Sequence, residues 1–144
     1  MGEKDGDFGF VHRVRVRYAD CDMQGVVFNA NYFAYIDDAM DMWLQHALGE
    51  EYLDGFDYAV KKAGMEWDSP ARVREVVDLR PAVTRWGRTS FDVRIGLSVG
   101  DRALGVGGAG AGQRHAGWVR AVARARAGPP GAQVARCRDK VEIA

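Results

Sequence analysis

Asp20-Cys21-Asp22-Met23-Gln24-Gly25-Val26-Val27-Phe28-Asn29-Ala30-Asn31-Tyr32-Phe33 joins an alternating stretch to a long apolar one. Before it, residues 11–18 alternate: Val14, Val16 and Tyr18 share one side, and Arg13, Arg15 and Arg17 the other. That is the period of a half-buried strand. After it, Tyr32, Ile36, Ala39, Met40, Trp43, Leu44 and Ala47 recur at helical spacing between residue 30 and about residue 48, with Asp37, Asp38, Asp41 and Gln45 as a narrow polar stripe. Gly25 permits a turn, Asn29 suits the helix N-cap, and Gly49 is placed to end the helix. The apolar arc is wide, so the helix is expected to be covered on most sides. Two carboxylates, Asp20 and Asp22, thus stand where a strand ends and face the amide end of a helix. A carboxylate so placed activates water beside an oxyanion site, which suits thioester or ester hydrolysis. The plain alternative is that both acids cap a turn, since aspartate bonds its own backbone well.

Beyond the helix, residues 50–57 form a polar connection with room for a short helix. Residues 58–67 and 73–86 read as strands, and Pro81 in the second implies an edge or a bulge because proline donates no ladder hydrogen bond. Residues 89–99 alternate most cleanly: Thr89, Phe91, Val93, Ile95, Leu97 and Val99 oppose Ser90, Asp92, Arg94, Gly96 and Ser98. One long apolar helix and one antiparallel meander bury themselves most economically when the sheet curves round the helix. The fold class is therefore α+β.

The last third follows different rules. Residues 1–101 carry 12 Lys and Arg against 18 Asp and Glu, whereas residues 102–138 carry seven Arg and no acid. Of those 37 residues, 25 are Ala, Gly or Arg. Such a segment is low-complexity or poorly packed, and out-of-frame GC-rich codons yield the same composition. Residues 103–117 and 128–140 are expected to be irregular, with at most a short strand over 118–126 lined by alanine. The arginines admit a second function class, a basic tail binding nucleic acid, though nucleic acid is not the partner expected here.

At 144 residues the chain reads as a single domain, 1–144. Two cysteines, Cys21 and Cys137, make no disulfide framework and fit a reducing cytoplasm. The acidic residues 1–9 resemble no export signal, and no apolar run reaches a membrane span. His12, His46 and His115 lie far apart, so no metal or cofactor is expected. No Gly-x-Ser-x-Gly elbow is present, which argues against a serine hydrolase. The acids flanking Cys21 should raise its thiol pKa and make it a poor nucleophile.

The run from Arg17 to Tyr32 resembles the signature of hotdog-fold acyl-CoA thioesterases, in particular the 4-hydroxybenzoyl-CoA thioesterase-like branch. Trp67-Asp68-Ser69-Pro70-Ala71-Arg72 and Thr84-Arg85-Trp86-Gly87-Arg88-Thr89-Ser90-Phe91 extend the likeness, which covers roughly residues 11–100. The resemblance implies a hotdog fold, a curved antiparallel sheet around one central helix. It implies hydrolysis of an acyl-CoA to the acid and CoA, the CoA being part of the substrate. It gives the catalytic carboxylate to Asp22, as general base or nucleophile, and leaves Asp20 structural. It sets the thioester carbonyl against the N–H of Asn29, four residues after Gly25. It puts the CoA nucleotide near Arg88, Thr89 and Ser90, with Lys61, Lys62 and Arg72 as further cations. Phe28, Tyr32 and Trp67 suit an aromatic or apolar acyl pocket, and core packing explains them equally. A homodimer or homotetramer is expected, because a sheet wrapped round one helix leaves edges to pair, and in the resembling family the neighbouring subunit completes the site. A non-catalytic or defective hotdog subunit is the alternative function. Two positions depart from the pattern: relatives usually carry glycine where Arg74 stands, and a β-branched residue where Pro81 stands.

Overall fold

The computed structural model describes residues 10–104, 117–124 and 129–143. The acidic start, residues 1–9, and the glycine-rich stretch over 105–112 lie outside them. The chain forms β1 (His12–Arg15), a 3-10 turn (Tyr18–Asp20), α1 (Asn31–Leu48), α2 (Glu50–Gly55), β2 (Tyr58–Met65), β3 (Val76–Trp86), β4 (Ser90–Val99), β5 (Arg102–Ala103), β6 (Gly117–Ala123) and α3 (Pro130–Ile143). The strands make one antiparallel sheet in the order β1-β3-β4-β6-β2, with β5 paired to β4. The sheet curls round α1, the hotdog arrangement of an α+β fold.

The alternation in β4 turns Phe91, Val93, Ile95 and Leu97 inward, all buried. They meet Tyr32, Ile36, Met40, Trp43 and Leu44 of α1 in a single core. On the outer face, Asp92 of β4 pairs with Arg85 of β3 and Arg120 of β6 at 2.8 Å each, an ionic tie across three strands. The Arg120 guanidinium, more than that of Arg85, holds the Asp92 carboxyl at about 2, against the cost of burial. Gly49 ends α1 with positive φ, its N–H donating to Gln45 O at 2.9 Å.

Several expectations are corrected. The strand over 11–18 stops at Arg15; Val16 is fully buried, but Tyr18 enters the 3-10 turn and is 88 % exposed. Asn29 does not cap α1: the helix starts at Asn31, the cap position is Ala30, and no side chain caps it. The Asn31 amide instead donates to Asp20 O at 2.8 Å. α1 is covered on one face only within the protomer, leaving Phe33, Asp37, Asp41, Met42 and Gln45 exposed. The expectation at Pro81 holds: the residue is buried opposite Ile95, but among the described residues β1 pairs β3 only as far as Leu79, which leaves β3 unpaired on that side beside the proline, and a bulge follows between Val83 and Arg85.

The largest correction is in the last third. Residues 130–143 form α3 and not an irregular tail, burying Gln133, Val134, Cys137 and Val141 against α1, β4 and β6. The strand near 118–126 exists as β6, and it is central, between β4 and β2. Its inner face, Gly117, Val119, Ala121 and Ala123, is buried. A thin face is what this position needs: a Cβ on Gly117 would meet Ile36 Cδ1 at 2.7 Å. Small residues on β6 also leave the volume that α3 fills. Packing is a property of facing surfaces together, and a strand poor in large residues is well buried when a helix supplies them.

Candidate active site

The two acids of the opening motif occupy opposite environments. Asp20 is buried. Its Oδ2 accepts from Arg17 N at 3.0 Å, Arg17 Nε at 3.3 Å and Tyr35 Oη at 2.8 Å, and its Oδ1 from Arg17 Nη2 at 2.8 Å. The guanidinium holds the carboxyl at about 2 although burial opposes ionisation. The same residue's carbonyl accepts from Phe28 N at 3.0 Å and from the Asn31 amide. Asp20 thus ties the end of β1 to the start of α1 and has no oxygen to spare. Tyr35, buried beside it, has its phenol pushed above the usual range by burial and by the bond to Asp20.

Asp22 is exposed. Its main chain closes a tight loop, N–H to Val26 O at 2.9 Å and carbonyl from Gly25 N at 3.0 Å. Gly25, at φ 76°, takes the left-handed conformation the loop requires. Oδ1 accepts from Gln24 N at 2.8 Å, so the capping role is real. Oδ2 accepts from no described residue and faces solvent. Asp22 lines an open cleft of about 530 Å³ with Tyr18, Cys21, Met23, Gly25 and Val73. Burial raises the Cys21 thiol pKa first; the charges of Asp20 and Asp22, the cause expected from sequence, add to it.

A second cleft, of about 160 Å³, opens between the approach to α1 and the loop after β2, lined by Val27, Asn29, Tyr32, Trp67, Asp68 and Ser69. Tyr32 is buried, its hydroxyl accepting from Ala71 N at 3.0 Å. Trp67 is 42 % exposed and meets Tyr32 edge to face at 5.9 Å between centroids. The N–H groups of Asn29 and Ala30 donate to no described residue. They are free donors next to the positive end of an 18-residue helix, the disposition that receives an anion or a developing oxyanion.

The structure therefore brings Asn29, Tyr32 and Trp67 together, with Asp22 and Gly25 in the neighbouring cleft. It does not bring in the rest. Phe28 is 51 % exposed and lines neither cleft. Arg88 and Thr89 lie in the β3–β4 turn and Ser90 opens β4, and none of the three lines either cleft. There, Gly87 N donates to Ser90 O at 2.7 Å, Arg85 Nη2 donates to Ser90 Oγ at 2.9 Å, and Arg88 packs against Gly131 of α3. Asp68 and Ser69, which follow Trp67 in its motif, also line the smaller cleft, and nothing in their residue types singles them out in the sequence. Among the described residues no group of His, Cys, Asp or Glu is arranged to hold a metal ion. Of the seven arginines in the basic segment, Arg102, Arg120 and Arg138 pair with acids of the chain itself.

Comparison with known proteins points one way. A family model described as the thioesterase superfamily matches residues 24–106, beginning two residues after Asp22. The acyl-CoA thioester hydrolase YbgC of Escherichia coli is 31 % identical over 81 residues, which is 54 % of this chain and 60 % of that relative; YbgC of Shigella flexneri gives the same figures. The chain thus matches about three fifths of the length of these curated relatives. Among solved structures, the PA5185 protein from Pseudomonas aeruginosa superposes with a TM-score of 0.75 at 22 % identity, covering 93 % of this chain and 90 % of that one. The 1,4-dihydroxy-2-naphthoyl-CoA thioesterase Slr0204 from Synechocystis superposes at 0.65 with 18 % identity, covering 89 % and 95 %. At these identities the superpositions establish the shared fold.

Proposed function

We propose that this chain, which belongs to the thioesterase superfamily, hydrolyses an acyl-CoA thioester to the free acid and CoA, with Asp22 as its working carboxylate and Asn29 N–H as its oxyanion donor. The observation that carries this is the contrast between the acids. Asp20 is saturated with hydrogen bonds and held at about 2, which makes it a poor base. Asp22 has an exposed carboxylate with one oxygen committed to Gln24 and the other open. As general base it takes a proton from water while the water oxygen attacks the thioester carbonyl; the C–S bond then breaks and the CoA sulfur leaves with a proton. As nucleophile it forms a mixed anhydride that water opens, with the same products. In both, negative charge grows on the carbonyl oxygen and Asn29 N–H, aided by the start of α1, offsets it.

Within one protomer Asp22 and Asn29 line separate clefts, so the reading includes a homodimer, or a pair of dimers, that completes the site. Among the described residues β1 and β2 each pair on one side only, which supports such pairing. Trp67 and Tyr32 are assigned to the acyl group, and the Arg88–Ser90 turn to the CoA phosphates. The cytoplasm suits the free thiols Cys21 and Cys137. Among the described residues no helix is long and apolar enough to cross a membrane. Thiol release from a panel of short, long and aromatic acyl-CoAs tests the reading: release of CoA from at least one class is expected, and none from any class refutes it.

A further inference from the structure

Arg102 lines neither cleft, yet it bonds residues that line the smaller one. It opens β5, just after the turn at Gly100, and its guanidinium reaches back over the loop that follows β2. Nη1 donates to Pro70 O at 2.7 Å and lies 3.4 Å from Ser69 Oγ; Nη2 meets Glu75 Oε2 at 2.7 Å. The same Glu75 oxygen accepts from Arg72 N at 2.8 Å. The main chain beside Arg102 adds to the grip: Asp68 N and Ser69 N donate to Leu104 O at 2.8 and 3.2 Å, and Ser69 Oγ donates to Ala103 O at 3.0 Å. The loop's far end is fixed to the opposite wall, Ala71 N to Tyr32 Oη and Val27 N to Ala71 O at 2.9 Å. One side of the loop is thus bound to the residues leading into α1 and the other to Arg102.

We propose that Arg102 is a positioning residue that sets the width of the Asn29–Trp67 cleft and thereby the fit of the acyl group, an inference that rests on the thioesterase reading of that cleft. The reason is geometric. Trp67, Asp68 and Ser69 form one wall of the cleft, and the side chain that reaches from another element to bond the Pro70 carbonyl is Arg102. Guanidinium contacts with a carbonyl and a carboxylate together fix an orientation, where an ammonium fixes only a distance. Without them the wall keeps its two main-chain bonds to Leu104 and the Ser69 Oγ bond to Ala103 O, and loses its brace, the guanidinium's hold on Pro70 O. The groups given to the chemistry, Asp22 and Asn29, do not touch Arg102.

The test compares Arg102→Met, Arg102→Lys and the control Arg80→Met, a surface arginine of β3 that bonds Ser98 of β4 and Asp78 of its own strand. Two readouts are taken on the full chain: amide exchange over residues 67–75, and kcat and KM for each accepted acyl-CoA. In Arg102→Met, exchange over 67–71 should speed up while β4 stays protected, and KM for the preferred acyl-CoA should rise about tenfold with kcat nearly kept. Arg102→Lys should recover only part of both, and Arg80→Met should change neither. Unchanged exchange over 67–71 in Arg102→Met overturns the brace, whatever the activity. Faster exchange with unchanged KM, or an equal loss in kcat, overturns the link to substrate fit. Wild-type chain that releases no CoA refutes the thioesterase reading instead, and with it the substrate part of this proposal, while the exchange result still decides the brace.

Discussion

Two residues apart, Asp20 and Asp22 occupy opposite environments, the first buried and the second exposed. Asp20 has its folded pKa lowered from 3.8 to about 2, so its ionisation stabilises the fold above the ordinary carboxylate range. That contribution is lost as pH falls through the interval from 3.8 to about 2, and Asp92 adds a second of the same sign. Asp20→Asn should lower stability by about 2 kcal/mol at neutral pH and flatten the acid end of the profile; urea midpoints between pH 2 and 6 check it, and an unchanged slope would contradict it. Arg74 is the other residue that speaks at this scale. The departure from the family's usual glycine marks a real strain: φ is 69°, while N–H still donates to Val16 O at 3.0 Å. Arg74→Gly relieves that conformation but frees the unfolded chain, so the net gain should be small, from zero to about 1 kcal/mol. A loss of stability on this substitution would show that the arginine side chain earns its place. The backbone demand was legible in sequence only through the resemblance; nothing in the residue type announces positive φ.

Among the elements, those with strong period were legible and those built by context were not. β4 and α1 declare themselves because each buries one face through its own large side chains. β6 does not, because its buried face is Gly117, Val119, Ala121 and Ala123, and the bulk that covers it comes from Ile36 of α1 and from Val134, Cys137 and Val141 of α3. α3 has few large apolar residues and two arginines among them, so composition hid a helix that three buried apolar side chains anchor. The candidate site followed the same rule. The strand, turn and helix that flank Asp22 and Asn29 were readable, but not that the two residues line separate clefts. If β6 is tightly packed, Ala121→Leu should overpack it and cost about 1–3 kcal/mol, seen as a lower urea midpoint; a neutral result would mean a loose strand. Cys137, fully buried and pushed up to about 12 by burial, should resist thiol reagents until the chain unfolds. Its rapid labelling in native buffer would show that α3 is undocked.

At the scale of the whole molecule, an antiparallel sheet whose β1 and β2 each pair on one side only among the described residues, and a helix with one exposed side, leave a protomer with surfaces to pair. Light scattering at micromolar concentration should give twice or four times the 15.9 kDa of one chain; a fully active monomer would refute the shared site. The central claim, that Asp22 does the chemistry and Asp20 holds the scaffold, has a direct test in Asp22→Asn. Asparagine keeps the size and the oxygen that accepts from Gln24, and removes only the charge. Thiol release from the best acyl-CoA should fall by about 10²–10⁴ with the urea midpoint unchanged. Near-normal turnover in Asp22→Asn, with Asp20→Asn folded and inactive, would contradict the assignment and reverse the two roles.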